Sequence, residues 1–148
     1  LDLYVANDFG RNNLFRNDDG TFTDIAAAAG VEDISPGMSV SWGDVNRDGW
    51  ADLYVSNMFS GAGNRITFQD QFMPGTTSTT KGHFQRFARG NALFLNQGDG
   101  TFKDRSVEAG VSVGRWAWAS RMADFNNDGL EDIVVANGFF TQEDGDDL

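Results

Sequence analysis

Two short stretches of this chain carry the oxygen donors and the turn glycine that a hard cation requires. Residues 44–52 and residues 124–132 both read D-x-N-x-D-G-x-x-D, and the second stretch lies 80 positions after the first. Alternate aspartate and asparagine side chains can point into one tight loop, and calcium takes about six to eight such oxygens. The spacing therefore predicts calcium binding.

Five positions in each stretch are the predicted ligands. The glycine allows the sharp bend, and the residue that follows it binds through its backbone carbonyl, while the other four positions bind through side-chain oxygens. The first site consists of Asp44, Asn46, Asp48, Trp50 and Asp52, and the second of Asp124, Asn126, Asp128, Leu130 and Asp132. The alternative is a turn rich in Asn, Asp and Gly without metal, which the second copy with matching flanks disfavours. Magnesium fits less well, because it prefers an octahedral shell that retains waters.

The sequence on either side of each loop is typical of strands. Residues 52–57 and 132–137 are short runs of β-branched and aromatic residues, and the residues before each loop have the same character. An EF-hand needs a helix on each side and a glutamate at loop position twelve, where this chain has Val55 and Val135. We therefore expect each loop to join two adjacent strands.

The repeat is larger than the loop. Residues 2–7 match residues 52–57 and 132–137, and a hairpin around an Asp-Gly turn occurs at 13–24 and again at 92–104. Each hairpin is followed by a small-residue segment that ends in Ala-Gly-Val. Four antiparallel strands per unit are typical of a β-propeller blade.

We therefore expect an all-β fold that forms part of a β-propeller, with about two blades in total and a Ca²⁺ loop between strands. Residues 1–148 are one segment of repeats. Residues 1–35 end one blade, residues 36–115 form a complete blade with an insertion at 58–90, and residues 116–148 begin the next. The acidic tail at 143–147 is interpreted as a solvated end rather than a third metal loop.

At these loops and hairpins the chain resembles the FG-GAP/VCBS repeat family. The resemblance rests on the strings DVNRDGWADLYVSN, NLFRNDDGTFTDIAAAAGV and NALFLNQGDGTFKDRSVEAGV. Within the family it resembles the cartilage acidic protein group and its bacterial relatives, which often carry an ASPIC/UnbV domain. The resemblance implies a calcium-binding β-propeller related to the head of integrin α-subunits and usually extracellular. It places the metal ligands at the ten positions named above. Because the chain is shorter than a complete propeller, the resemblance implies one part of such a protein.

Composition limits the partners. A net charge of −11 over 148 residues argues against nucleic acid and anionic membranes as partners, and no apolar run is long enough to span a bilayer. Weak calcium modules are tuned to extracellular calcium, so we expect a secreted or cell-surface protein. We do not expect an enzyme, because no Ser/His/Asp set, phosphate loop or zinc spacing is present.

The insertion at 58–90 is interpreted as a long basic and aromatic loop with a flexible tip at 76–80. Its cations are Arg65, Lys81, Arg86 and Arg89. One interpretation is a docking surface for an acidic protein, a glycan or another copy of the chain. The other is that the aromatic residues pack on their own blade while the cations balance nearby carboxylates. His83 is interpreted as a surface residue.

Two function classes follow from these observations. The first is a calcium-stabilised binding or adhesion scaffold. The second is a self-assembling structural subunit of an extracellular filament or surface assembly.

Overall fold

Three antiparallel sheets follow one another along the chain in the computed structural model, which describes residues 1–138. The first sheet has the order β1–β2–β3, the second β4–β5–β6–β7 and the third β8–β9. The strands are β1 (Leu3–Val5), β2 (Asn13–Asp18), β3 (Thr21–Asp24), β4 (Gly37–Gly43), β5 (Asp52–Asn57), β6 (Ala92–Asn96), β7 (Phe102–Asp104), β8 (Ala117–Ala123) and β9 (Asp132–Asn137). The helices are α1 (Ala26–Ala29), α2 (Gly61–Thr67) and α3 (Ser78–Ala88).

The predicted strands are present. Each loop predicted to bind metal joins two antiparallel neighbours, β4 to β5 and β8 to β9. Each predicted hairpin pairs as expected, β2 with β3 and β6 with β7. Each sheet is a simple meander, so neighbours in the sequence are also neighbours in the sheet. The acidic tail at 143–147 lies outside the described residues, as does the end of the segment predicted to begin the last blade.

The middle sheet is covered on both faces because its strands alternate apolar side chains from one side to the other. Leu53 and Val55 of β5 pack toward the first sheet, in a cluster that includes Tyr4 and Leu14. Tyr54, between them, packs on the opposite face with Leu93 of β6 and Met122 of the third sheet. All six residues of β5 are buried. The three sheets therefore stack face to face.

The repeat is preserved at the level of single hydrogen bonds. The hydroxyl of Tyr4 donates to the carbonyl of Val31 at 2.8 Å, and the hydroxyl of Tyr54 donates to the carbonyl of Val111 at 3.1 Å. Burial raises the pKa of Tyr54 to about 12 and raises the pKa of Tyr4 further. Each Ala-Gly-Val segment therefore holds the tyrosine of its own repeat.

Polar side chains of β4 fix the third sheet against the second. The hydroxyl of Ser39 accepts a hydrogen bond from the Ser120 backbone at 3.1 Å, and the hydroxyl of Ser41 accepts one from the Met122 backbone at 2.8 Å. These positions alternate along β4, so both point to the same face. The contact satisfies backbone N–H groups of β8 that pairing with β9 leaves free.

Alanine substitutions at Gly43 and Gly82 should change the stability of the chain in opposite directions. A Cβ at Gly43 would lie 3.0 Å from the Met122 Cβ and would overlap the carboxylate of Glu131. We expect Gly43→Ala to lower the free energy of unfolding by about 1–3 kcal/mol through overpacking. Gly82 lies within α3 with nothing within 4 Å of the position that a Cβ would take. Gly82→Ala should therefore raise the free energy of unfolding by up to about 1 kcal/mol, because alanine has the higher helix propensity. Urea midpoints check both, and shifts of the same sign would contradict the packing argument.

The interpretation of residues 58–90 as a long loop is wrong, because α2 and α3 lie within it. A hydrogen bond joins the residues on either side of this insertion: the backbone N–H of Asn57 donates to the side-chain carbonyl of Asn91 at 2.8 Å. The same bond joins Asn7 and Asn12 at 2.8 Å in the first sheet, across a short turn. The insertion therefore replaces that turn without disturbing the strands on either side.

The predicted flexible tip at 76–80 is instead the start of α3. Thr77 is the N-cap of this helix, and its hydroxyl accepts a hydrogen bond from the backbone N–H of Thr80 at 3.2 Å. A threonine in this position satisfies one of the free N–H groups of the first turn. The all-β prediction consequently holds for the sheets and not for the insertion.

Candidate metal sites

The loop between β4 and β5 gathers the side-chain oxygens of its first three predicted ligands around its own backbone. The N–H of Asp48 donates to Asp44 Oδ1 at 3.0 Å and to Asn46 Oδ1 at 3.1 Å. The N–H of Gly49 donates to Asp44 Oδ2 at 2.9 Å, and the N–H of Trp50 donates to Asp48 Oδ1 at 2.9 Å. These bonds turn the oxygens toward the inside of the loop.

The loop between β8 and β9 repeats the same bonds. The N–H of Asp128 donates to Asp124 Oδ1 at 3.1 Å and to Asn126 Oδ1 at 2.9 Å. The N–H of Gly129 donates to Asp124 Oδ2 at 2.7 Å, and the N–H of Leu130 donates to Asp128 Oδ1 at 2.8 Å. The two loops therefore adopt one conformation despite different residues between the ligand positions.

The backbone dihedral angles also show that the two loops have the same conformation. Arg47 and Asn127, which occupy the same place in the two loops, both have φ of 59°. Gly49 and Gly129 have φ of 86° and 82°, in the left-handed region that residues with a Cβ rarely adopt. The glycine of the motif is therefore required by the turn.

Asp52, the last predicted ligand of the first loop, is fully buried. Its Oδ2 accepts from the Val45 N–H at 3.1 Å, and its Oδ1 accepts from the Asn96 N–H at 2.9 Å. Burial raises the pKa of Asp52, with further contributions from the charges of Asp48 and Asp44, against the lowering effect of the two hydrogen bonds. Ionising Asp52 therefore costs more free energy in the folded chain than ionising an exposed aspartate does, and a cation in the loop would offset that cost.

The equivalent aspartates in the other sheets make matching contacts. Asp132 Oδ2 accepts from the Phe125 N–H at 3.1 Å. Asp2 Oδ1 accepts from the Asn17 N–H at 3.0 Å, as Asp52 does from its own hairpin strand. Asp2 thus occupies the last-ligand position of the repeat, as the alignment of residues 2–7 with 52–57 predicts.

The predicted ligands are of the types that a hard cation prefers, but the structure does not gather their carboxylates into a preformed cage. Within residues 1–138, no group of three or more His, Asp and Glu side chains is gathered closely enough to hold a metal ion. Each predicted set also includes an asparagine oxygen and a backbone carbonyl, which calcium accepts readily. A carboxylate oxygen has lone pairs enough to accept an N–H and coordinate an ion together. The bonds described above therefore do not compete with ion binding.

Comparison with known families decides what kind of repeat this is. A model of the FG-GAP-like repeat matches residues 1–55 and 84–135, which together make up most of the chain.

The chain belongs to the FG-GAP-like repeat family.

Relatives of this FG-GAP-like chain carry the name Cartilage acidic protein 1. The protein from Mus musculus is 31% identical over 115 residues, which is 77% of this chain and 13% of the relative. The proteins from Homo sapiens and Xenopus tropicalis are 47% and 45% identical over 58 residues, which is 38% of this chain and 9% of each relative. These matches confirm the resemblance predicted from the motifs. The chain spans only a small part of the relatives' length.

Both metal loops lie inside the segments that match the FG-GAP-like repeat, whereas residues 56–83 lie between them. The family pattern therefore includes the predicted ligand positions. It leaves out α2 and the first half of α3, so these helices are additions to the repeat. In the described part of the chain, no helix is both long and apolar enough to cross a membrane.

Two of the four cations predicted to meet a partner are paired inside the chain. The Arg86 side chain donates to Asp33 Oδ1 at 3.0 Å and to Asp104 Oδ2 at 2.7 Å, and Arg89 donates to the same Asp104 oxygen at 2.9 Å. Burial alone would lower the pKa of Arg86, but the two carboxylates outweigh it and raise that pKa. These contacts favour the interpretation that Arg86 and Arg89 balance nearby carboxylates.

The other two predicted partner-binding cations form no ion pairs in the described part of the chain. Arg65 is exposed and Lys81 is half-buried. His83 is exposed, as predicted. Arg65 and Lys81 are therefore the cations on which a docking surface can draw.

Sequence reasoning missed Asp33. This aspartate is fully buried and accepts hydrogen bonds from Ile34, Ser35, Asn57 and Arg86. No periodicity marks it, because its partners come from the insertion and from β5. The only local signal is its place just after Ala-Gly-Val, at the passage from the first sheet to the second.

Proposed function

We propose that this segment is a calcium-stabilised β-propeller scaffold of an extracellular protein, and that its helical insertion serves as a docking surface. The observation that carries the proposal is the shared hydrogen-bond pattern of the two loops at the same place in consecutive sheets. The two loops share every side-chain ligand position and the turn glycine, whereas all the other positions of the loop differ. A common ligand explains this selection, because the same oxygens must be presented twice.

The stacking of the sheets supports the propeller part of the proposal. Successive four-stranded meanders that cover each other's faces are the blades of a propeller. The second sheet has all four strands, and its two faces pack on the first and the third sheets. On this proposal the three sheets are consecutive blades, and calcium ties the first two strands of each blade at their loop.

The aspartates of the loops support calcium as the bound ion and an extracellular location for the protein. Weak extracellular calcium modules have dissociation constants of about 10⁻⁴–10⁻³ M. The loops here are largely exposed except at Asp52, so solvent competes with the ion and strong binding is not expected. Membership of the FG-GAP-like family and the cartilage acidic protein relatives support a structural rather than an enzymatic role.

The insertion supports the docking part of the proposal. Large apolar side chains are exposed along it, although monomeric proteins rarely leave such residues grouped on one surface. They are Ile66, Phe68, Met73, Phe84 and Phe87. Arg65 and Lys81 add positive charge to a chain with a net charge of −11. A protein or glycan with acidic groups fits this surface, and a second copy of the acidic chain is the alternative occupant.

Isothermal titration calorimetry tests the calcium part of the proposal. We expect the chelator-treated chain to bind two calcium ions with dissociation constants of about 10⁻⁴–10⁻³ M, and magnesium more weakly. Asp48→Ala and Asp128→Ala should each retain one ion, because each loop is complete in itself. The control is Asp70→Ala, which removes an exposed acid of the insertion and should retain both ions. Binding that survives both loop substitutions together would place calcium elsewhere.

A further inference from the structure

The two metal loops touch each other across the boundary between the second and third sheets. Arg47, which lies between the ligands Asn46 and Asp48, donates from Nη2 to the backbone carbonyl of Gly129. The approach is close enough that a Cβ at Gly129 would lie 2.5 Å from that nitrogen. Gly129 is followed by Leu130, whose carbonyl is a predicted ligand. An arginine of the first loop therefore holds the backbone of the second loop beside a ligand.

A return contact runs in the opposite direction. The carboxylate of Glu131, in the second loop, lies against Gly43 in the space that a Cβ would occupy. Gly43 directly precedes Asp44, the first ligand of the first loop, and Glu131 directly precedes the ligand Asp132. Glu131 Oε2 is buried without a hydrogen-bond partner in the described part of the chain. Each loop thus contacts residues adjacent in sequence to ligands of the other.

The position of Arg47 depends on the conformation of its own loop. Its φ of 59° is left-handed, and the next N–H, that of Asp48, is held by Asp44 and Asn46 oxygens. An ion bound to those oxygens would fix this turn and so fix the direction in which the Arg47 side chain leaves the backbone. The carbonyl of Gly129 would then be held in place before the second ion arrives.

We propose that Arg47 couples the two calcium sites, so that an ion in either loop raises the affinity of the other. This proposal rests on the calcium binding proposed above. The physical reason is that a loop already ordered by its neighbour loses less conformational entropy when it binds. Repulsion between the two ions opposes the effect, and salt weakens that repulsion. The coupling must be reciprocal, because it is a free energy shared by two binding equilibria.

Calorimetry on three proteins measures the coupling without assigning each binding step to a loop. The product of the two association constants of the unaltered chain is compared with the product of the single constants of Asp48→Ala and Asp128→Ala. We expect the first product to exceed the second by about fivefold or more. When Arg47→Ala is added to all three proteins, we expect the two products to become equal.

Asn127→Ala is the matched control, since Asn127 holds the same loop position and φ as Arg47, but its side chain forms no hydrogen bond within residues 1–138. It should leave the ratio of products unchanged. Arg47→Asn, which gives the first loop the residue that the second has at this position but with a side chain too short to reach the Gly129 carbonyl, serves as a second variant if the alanine variant does not fold, and it should also make the two products equal. Equal products in the unaltered chain, or a ratio that persists without Arg47, would overturn the coupling. Absence of calcium binding in every protein would instead overturn the proposed function.

Discussion

Removal of calcium from a solution that holds it at about a hundredfold excess over Kd should lower the melting temperature of this chain by about 10–20 °C. A ligand that binds only the folded state stabilises it by about 2.7 kcal/mol at a hundredfold excess over Kd, and the two loops together supply about 5 kcal/mol. The effect follows from the packing of carboxylates in each loop, which repel one another without an ion. Melting curves with EDTA, with calcium and with magnesium check it, and calcium should restore stability better than magnesium.

Substitutions within the first loop separate the effect of the ion from the effect of the fold. Asp48 is exposed, so Asp48→Ala should remove about half of the calcium-dependent stabilisation and change little in EDTA. Asp52 is buried and accepts from the Val45 and Asn96 N–H groups. Asp52→Ala should therefore cost about 1–3 kcal/mol in EDTA as well, because two partly buried N–H groups lose their acceptor.

The second loop provides the matched test. Asp128→Ala should behave like Asp48→Ala, since both side chains are exposed and make the same contacts. The double variant should melt at the same temperature with and without calcium. If the unaltered chain shows equal melting curves with and without chelator, the loops are polar turns that hold no structural ion.

The strands could be predicted because their signals are local. Each loop motif sets its ligands two positions apart, and each hairpin is marked by an Asp-Gly turn between alternating residues. The internal repeat then supplied the pairing order, because a contact in one copy predicts the same contact in the other. The bond from Tyr4 to Val31 and the bond from Tyr54 to Val111 show how far that correspondence extends.

The helices of the insertion could not be predicted in the same way. The segment of α2, from Gly61 to Thr67, contains glycine, asparagine and threonine, which are weak helix formers. Its helix depends on contacts from outside the segment, such as the Asn64 side chain, which donates to the Ala88 carbonyl at 2.6 Å. Ser60 caps its first turn by accepting from the Gly63 N–H at 3.0 Å. Tertiary contacts and capping therefore outweigh propensity here.

Contacts between repeats also could not be predicted from the sequence. The clash expected at Gly43 and the hydrogen bond from Arg47 depend on how one sheet sits on the next. Nothing in either loop motif encodes that placement, because the ligand pattern is complete within each loop. The repeat thus predicts what is shared between the copies, and the structure is needed for what joins them.

Asp33→Ala should destabilise the chain by about 3–5 kcal/mol, because the half-buried Arg86 loses one of its two carboxylates and buried donors of Ser35 and Asn57 lose an acceptor. Asp33 is fully buried, and its Oδ1 accepts from the Arg86 Nε at 3.0 Å and from the Ile34 N–H at 2.8 Å. Its Oδ2 accepts from the Asn57 side chain at 3.1 Å. A fall in the urea midpoint at constant slope measures the loss.

The neighbouring acid is a control of the same charge. Glu32 pairs with Arg11 at the surface, where an ion pair contributes about 0–1 kcal/mol. Glu32→Ala should therefore shift the urea midpoint little. Equal shifts for the two variants would mean that the carboxylate of Asp33 contributes no more than a surface acid, and the buried network would lose its structural role.

A double-mutant cycle tests whether the stability lost in Asp33→Ala comes from the Asp33–Arg86 ion pair. Arg86 also pairs with Asp104 and lies 5.5 Å from the centre of the Phe94 ring, so Arg86→Met keeps apolar bulk beside that ring while removing the charge. With both charges of the Asp33–Arg86 pair gone, no unpaired buried charge remains, so the double variant should lose less than the sum of the single losses. Strict additivity would show that each residue acts alone. A coupled result would mean that this pair fastens α3 to the sheets, which leaves Arg65 and Lys81 as the cations available to a partner.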